Sequence, residues 1–248
     1  MNAVNWADLA ADVAKALGET AAMVGIALVF TVLIGLPVGV LLVVLDRGGV
    51  LEAPFGSRRL GAAIHAVLGF VVNVGRSLPF IILMVAILPF TKLLVGRSFG
   101  LWAAVVPLTV AAIPFFARLV EIAVREVDRG LVEAAVSLGK SKAEIIAKVL
   151  VPESLPAIVL GLFTSVISLL NYSAMAGVIG GGGLGDLALR EGYQRYNEWY
   201  MLVVVVLLVV IVQALQSLGS ALARRVRHDG RGVDRRQARA RAAVTATG

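Results

Sequence analysis

The chain contains no cysteine and only two histidines in 248 residues. A disulfide framework and a thiolate metal site are therefore excluded. His65 and His228 stand too far apart in sequence to suggest a ligand cluster. Charge is also scarce: Asp, Glu, Lys and Arg make up 16% and aromatics 6%, too little polar surface for a soluble domain of this length. The long apolar runs hold no acid and no histidine, with Glu121 and Asp186 falling at their ends. No internal repeat is visible either, so an ion- or proton-coupled transporter, which needs a buried relay, is disfavoured. A basic leader region is missing as well. Residues 1–19 carry Asp8, Asp12 and Glu19 against Lys15 alone, which does not read as a secretory signal. They are expected to form a short interfacial helix or a loosely ordered extracytoplasmic segment.

What is abundant is apolar: 59% of residues, with a mean hydropathy of +0.90. Runs of membrane-spanning length set the class as all-α and polytopic. Residues 21–45, 98–117, 154–185 and 201–223 each make a crossing, the third of these ending near its glycine run. Residues 77–91 are too short alone, about 22 Å of helix, and must recruit 69–75 to span. Five crossings are predicted.

Orientation follows from lysine and arginine placement. With the N-terminus outside, 17 of the 23 basic residues fall on inner segments, five on outer ones, and Arg76 lies within a span. The formal charge of +7 owes much to eight arginines after Ala223. Residues 224–248 read as a basic, disordered cytoplasmic tail near anionic lipid, and no nucleic-acid partner is expected.

The longest inner segment, 118–156, holds "EAAVSLGKSKAEI", which satisfies a relaxed phosphate-loop pattern. That motif needs a buried strand before it and an α/β domain around it, and "EIAVREVDRG" offers neither. The segment reads as two short helices instead. Residues 131–138 form the first, Gly139 ends it in a left-handed conformation, and Ser141 with Glu144 makes a capping box for the second. Pro152 and Pro156 mark the return to the membrane.

The spacing Glu133-Ala134-Ala135, Gly139, then Val149, Val151 and Pro152 resembles the EAA loop of ATP-binding-cassette (ABC) importer permeases, with valine at both aliphatic positions. Further segments, "GLPVGVLL", "VVNVGRSLPFIILMVAILPFTKLLVG", "VPLTVAAIPFFARLVE" and "YSAMAGVIGGGGLGD", are similar in order to the methionine-importer permease subunit, over about 20–222. The pattern departs at Gly75 and Asn171, where Phe and Gly are expected. The resemblance implies a type I ABC importer permease domain at 20–223 that catalyses no covalent chemistry and binds no cofactor. It implies two ATPase subunits that bind the ATP, a second copy of this permease and an extracytoplasmic methionine-binding lipoprotein. It also implies a bacterial inner-membrane location and passage of methionine, in L and D forms and analogues, by alternating access. Another small solute, such as a quaternary amine or phosphonate, is the alternative.

Glu133, Ala134, Ala135 and Gly139 are the candidate ATPase-coupling residues: small side chains permit close approach, and Glu133 can reach donors on the partner. Tyr172, Ser173 and Met175 are the candidate translocation path. Gly35/Gly39 and Gly177/Gly181 have the spacing of close helix packing, and residues 180–185 suggest a tight outer turn or gate element. Arg76 is a functional candidate by its position, but a place within two turns of the inner face would let it anchor to lipid phosphate.

Overall fold

The computed structural model describes residues 5–226. Ten helices account for most of them: α1 Trp6–Val44, α2 Arg58–Ser77, α3 Phe80–Ala86, α4 Leu88–Val95, α5 Leu101–Arg125, α6 Arg129–Ser137, α7 Lys142–Ile145, α8 Val151–Val178, α9 Gly183–Leu187 and α10 Glu198–Val226. There is no strand among the described residues. Five helices are long and apolar enough to cross a membrane, as expected.

The buried centre is α5, against which α1, α2 and α8 all pack. Its run "AAVVPLTVAAIPFFARLV" is apolar on nearly every face, as a helix surrounded by protein must be. α1 runs parallel to it at very close range. A Cβ at Gly35 would meet the Phe116 ring at 3.0 Å, and one at Gly39 would strike the Ala117 carbonyl and lie 2.6 Å from the Val120 Cβ. The Gly35/Gly39 expectation is met.

One end of the bundle holds the close of α1, the close of α5 and the α6–α7 hairpin; the other holds the turn at Gly180–Gly183. The hairpin end and the glycine end are convenient names for them.

Three expectations change. The first 19 residues are not a separate element: Asn5 caps a helix that runs unbroken for 39 residues into the first crossing, about 58 Å of helix. Leu9 and Ala16 are buried against Leu184, Leu187, Tyr200 and Val204. Trp6 packs edge-on against Trp199 at 5.4 Å, and Tyr200 Oη donates to Asp12 Oδ2 at 2.9 Å. Residues 1–4 lie outside the described ones. So does most of the predicted tail, 227–248, while Arg224 to Val226 belong to α10.

The second crossing is not one helix over 69–91. Pro79 lacks an N–H and drives Leu78 to an extended conformation, φ −84°, ψ 127°. Below the break α2 meets α5 through Val72 with Ala117 and Gly75 with Pro114. Above it Phe80, Leu83 and Met84 join Leu108 and Ala111. The crossing is thus assembled from α2, α3 and α4, antiparallel to α5.

The second arm of the hairpin is not a separate short helix. α7 passes through a π-helical turn at Ile146–Leu150 straight into α8, with Pro152 in its first turn and Pro156 inside it. Pro152 supplies no N–H to the preceding turn, and the helix passes that gap through the π-helical turn just before it. α8 ends at Val178, before the glycine run. Gly181 therefore lies in a turn, and Gly177 is small because the backbone of Gly185 and Asp186 folds back onto it.

Replacing Gly39 by valine should overpack the α1–α5 seam and cost about 1–3 kcal/mol. Thermal unfolding of the purified protein in detergent should show a lowered midpoint for Gly39→Val and none for Gly25→Val, whose Cβ would meet nothing within 4 Å.

Candidate functional site

At the hairpin end, two capping devices fix one joint. α6 closes with Gly139 N–H donating to the Val136 carbonyl at 2.9 Å and Lys140 N–H to the Ala135 carbonyl at 3.1 Å, the paired bonds of a Schellman cap. They require Gly139 at φ +71°, where a side chain would cost roughly 1–2 kcal/mol. Two residues on, the predicted capping box is present: Ser141 Oγ accepts from Glu144 N at 3.3 Å, and Ser141 N donates to Glu144 Oε2 at 3.2 Å. Lys148 Nζ adds a bond to Glu144 Oε1 at 3.0 Å. The angle between α6 and the foot of α8 is therefore set by local chemistry.

α6 has two faces. Val132 packs with Val124, Leu150 and Val44, and Ala135 is buried. The other face carries exposed Glu133 and Ala134 together with Leu131, Val136 and Leu138, of which Leu138 is 78% exposed. Apolar side chains uncovered beside a charged loop mark a contact surface. Of the four predicted coupling residues, Glu133, Ala134 and Gly139 lie open to a partner, and Ala135 instead seats the helix on its own subunit. The exposed Leu131, Val136 and Leu138 were missed, although their alternation with the buried positions was readable.

Beneath α6 lies an ionic network that the sequence reading also missed. Arg125 Nη1 donates to Asp46 Oδ2 at 2.7 Å, Arg125 Nε to Glu121 Oε1 at 3.1 Å, and Arg118 Nη1 to Glu121 Oε2 at 2.7 Å. Glu121 is buried, and its two arginines are what make that tolerable. The signal was there as i, i+3 and i, i+4 spacing on α5; only the reach to Asp46, at the end of α1, needed the fold. The hydrogen bond from Arg125, joined by the Arg47 N–H, holds the Asp46 carboxyl below its ordinary value of 3.8.

At the glycine end, the turn is tied down. Gly182 and Gly183 have φ of +83° and +82°, which aims the Gly183 N–H at Glu19 Oε2, 2.8 Å, and the Leu184 N–H at Thr20 Oγ1, 2.9 Å. Both acceptors come from α1. A groove of about 350 Å³ opens beside them, rimmed by Asp12, Lys15, Asp186 and Arg190.

The predicted path residues do not form one open surface. Ser173 is 3% exposed and donates to the Leu170 carbonyl at 2.8 Å, so it lies inside the protomer. Tyr172 stacks on Phe80 with ring centroids 4.7 Å apart. Met175 is half-buried against the core. Arg76 is not within two turns of the hairpin end. It follows His65, which faces Asp46 at 3.9 Å, by eleven residues, or about 16 Å of helix. Its neighbour Gly75 abuts Pro114 near the middle of α5.

The family model for the binding-protein-dependent transport system inner membrane component matches residues 47–228. The chain belongs to that family. It is a permease-type subunit with multiple membrane-crossing helices and the family's transport fold. The chain is 49% identical to the probable D-methionine transport system permease MetI of Vibrio cholerae over 90% of its length and 96% of that protein's. It is 46% identical to the methionine import system permease MetP of Bacillus subtilis, covering 67% and 75%. Among solved structures, the inward-facing methionine ABC transporter MetNI matches with a TM-score of 0.79 and 43% identity, over 87% of this permease and 96% of that chain.

The Asp46–Arg125 tie should respond to acid in one direction. Because the folded carboxyl titrates below its free value, the tie adds stability above pH 3.8 and loses it as pH falls further. A pair this accessible is worth at most about 1 kcal/mol. The stability gap between wild type and Asp46→Asn should shrink as pH falls below 3.8; a gap that widens there would contradict the assignment.

Proposed function

We propose that the chain is the membrane-crossing subunit of an ATP-driven importer that passes methionine into the cell by alternating access. The observation that carries this reading is the hairpin. A helix with Glu133, Ala134 and three uncovered apolar side chains is held at a set angle by Gly139, in a chain whose relatives are methionine permeases. A separate ATPase subunit grips that face, and two copies of each subunit make the assembly. ATP binding and release then change the contacts of α6, so the two states of the partner favour different states of the crossings. The permease performs no bond chemistry; hydrolysis belongs to the partner.

The orientation is N-terminus out and C-terminus in, which puts the hairpin in the cytoplasm beside the ATPase. The glycine end then meets a substrate-binding protein outside. Both enantiomers of methionine are substrates, as the names of the relatives, some with D-methionine and some with methionine, suggest.

Uptake of labelled methionine into proteoliposomes holding the permease, its cognate ATPase and its binding protein tests the assignment. Uptake should require ATP. Glu133→Arg should abolish ATPase association or lower uptake at least tenfold with membrane insertion intact. Gly139→Pro, which cannot adopt φ +71° and loses the bond to Val136, should do the same. Unchanged uptake in both variants would reject the coupling role of the hairpin.

A further inference from the structure

Arg76 is placed where a cation is costly and has no counter-charge of its own. Among the described residues it forms no ion pair and no hydrogen bond, whereas the deeper arginine of α5, Arg118, is held by Glu121. Its neighbour Gly75 is opposite Pro114, which lies 13 residues from the start of α5 and 11 from its end. An isolated charge at the centre of a membrane helix costs about 2.5–3.5 kcal/mol or more. It is retained where protein or a water-filled path gives it an anion. Asn73 and Ser77, three residues before it and one after, are exposed with it and extend the polar surface along α2.

The second wall is set by the stacked rings. Phe80 and Tyr172 fix the register between α3 and α8, both of which run from the hairpin end toward the glycine end. Arg76 stands four residues before Phe80, on the hairpin side of the Pro79 break, and Ser168 stands four residues before Tyr172 on α8. Thr164, Ser168 and Asn171 share a face of α8 by their spacing, and Thr164 and Asn171 are exposed. The hydroxyl protons of Thr164 and Ser168 go to the Leu160 and Thr164 carbonyls, so their oxygens remain as acceptors. On the hairpin side of the aromatic pair, α2 thus carries a guanidinium, and α8 carries hydroxyl acceptors and an amide. Those groups complement a zwitterion: anion to the guanidinium, ammonium to the oxygens.

We propose that Arg76 binds the carboxylate of the amino acid in the translocation path. The proposal rests on the methionine-import reading above and assigns the polar contact that reading lacks. The guanidinium's two-pronged geometry matches a carboxylate, and a lysine at this place would keep the charge but lose the fork.

The test uses the full assembly in proteoliposomes, with one wild-type binding protein throughout, and measures uptake of methionine and of methionine amide, which lacks the carboxylate. Because delivery is unchanged, any change in preference comes from the permease. Arg76→Gln should lower methionine uptake at least tenfold and narrow the preference for methionine over the amide, while ATP hydrolysis stimulated by the loaded binding protein stays within twofold. Arg76→Lys should assemble, import more slowly and keep the preference. Wild-type preference and rate in Arg76→Gln would overturn the proposal. So would failure of both variants to assemble, since Arg76 would then be structural. Absence of methionine uptake by the wild-type assembly would instead sink the import reading itself.

Discussion

Where α1, α2, α8 and the glycine turn come closest to α5, a glycine leaves the room that a Cβ would fill. Gly39 of α1 lies on Ala117 and Val120, Gly75 of α2 on Pro114, Gly161 of α8 on Leu119, and Gly181 of the turn on Ala104. In lipid, burying one more leucine between helices gains little, because the tails it leaves are as apolar as the neighbours it joins. Close van der Waals contact of a glycine backbone with α5 does the work in its place, and that contact is available only where a Cβ is missing. The buried centre can therefore be a proline-containing helix with modest side chains. Its stability comes from proximity, and larger residues at these seams would separate the very elements that give it shape.

The same logic explains why the two ends of the molecule are built differently. At the hairpin end, exposed charge is available, and the elements are joined by Asp46, Arg125, Glu121 and Arg118 across α1 and α5. At the glycine end the joins are between side-chain acceptors on α1 and backbone donors at the start of α9. α1 takes part in both, so it links the two ends through a single 39-residue helix. A change at one end has a continuous route to the other.

Much of this was legible in the sequence. Apolar run length located five crossings, and the cap chemistry of Leu138 to Glu144 located the joint to the residue, because both depend on neighbours in the chain. What escaped notice depended on distant partners. The acids of residues 6–19 looked like a boundary until Asp12 met Tyr200 and Glu19 met the glycine turn. The second crossing looked too short because Pro79 divides it, and its halves are recognisable as one element only against α5. Ser173 looked like a path residue because a hydroxyl in an apolar run invites a ligand. Its own helix accepts that proton, a satisfaction that i, i−3 spacing allows but does not announce.

The absence of a loop between α7 and α8 governs how displacement spreads. From Lys142 to Val178 the backbone is one rod of 37 residues, some 55 Å long, whose base is clamped to α6 and whose tip carries the returning glycines. Tipping such a rod at its foot swings its far end, with no slack segment to absorb the motion. The widened turn at Ile146–Leu150 lies at the foot of that rod, directly after the capped joint.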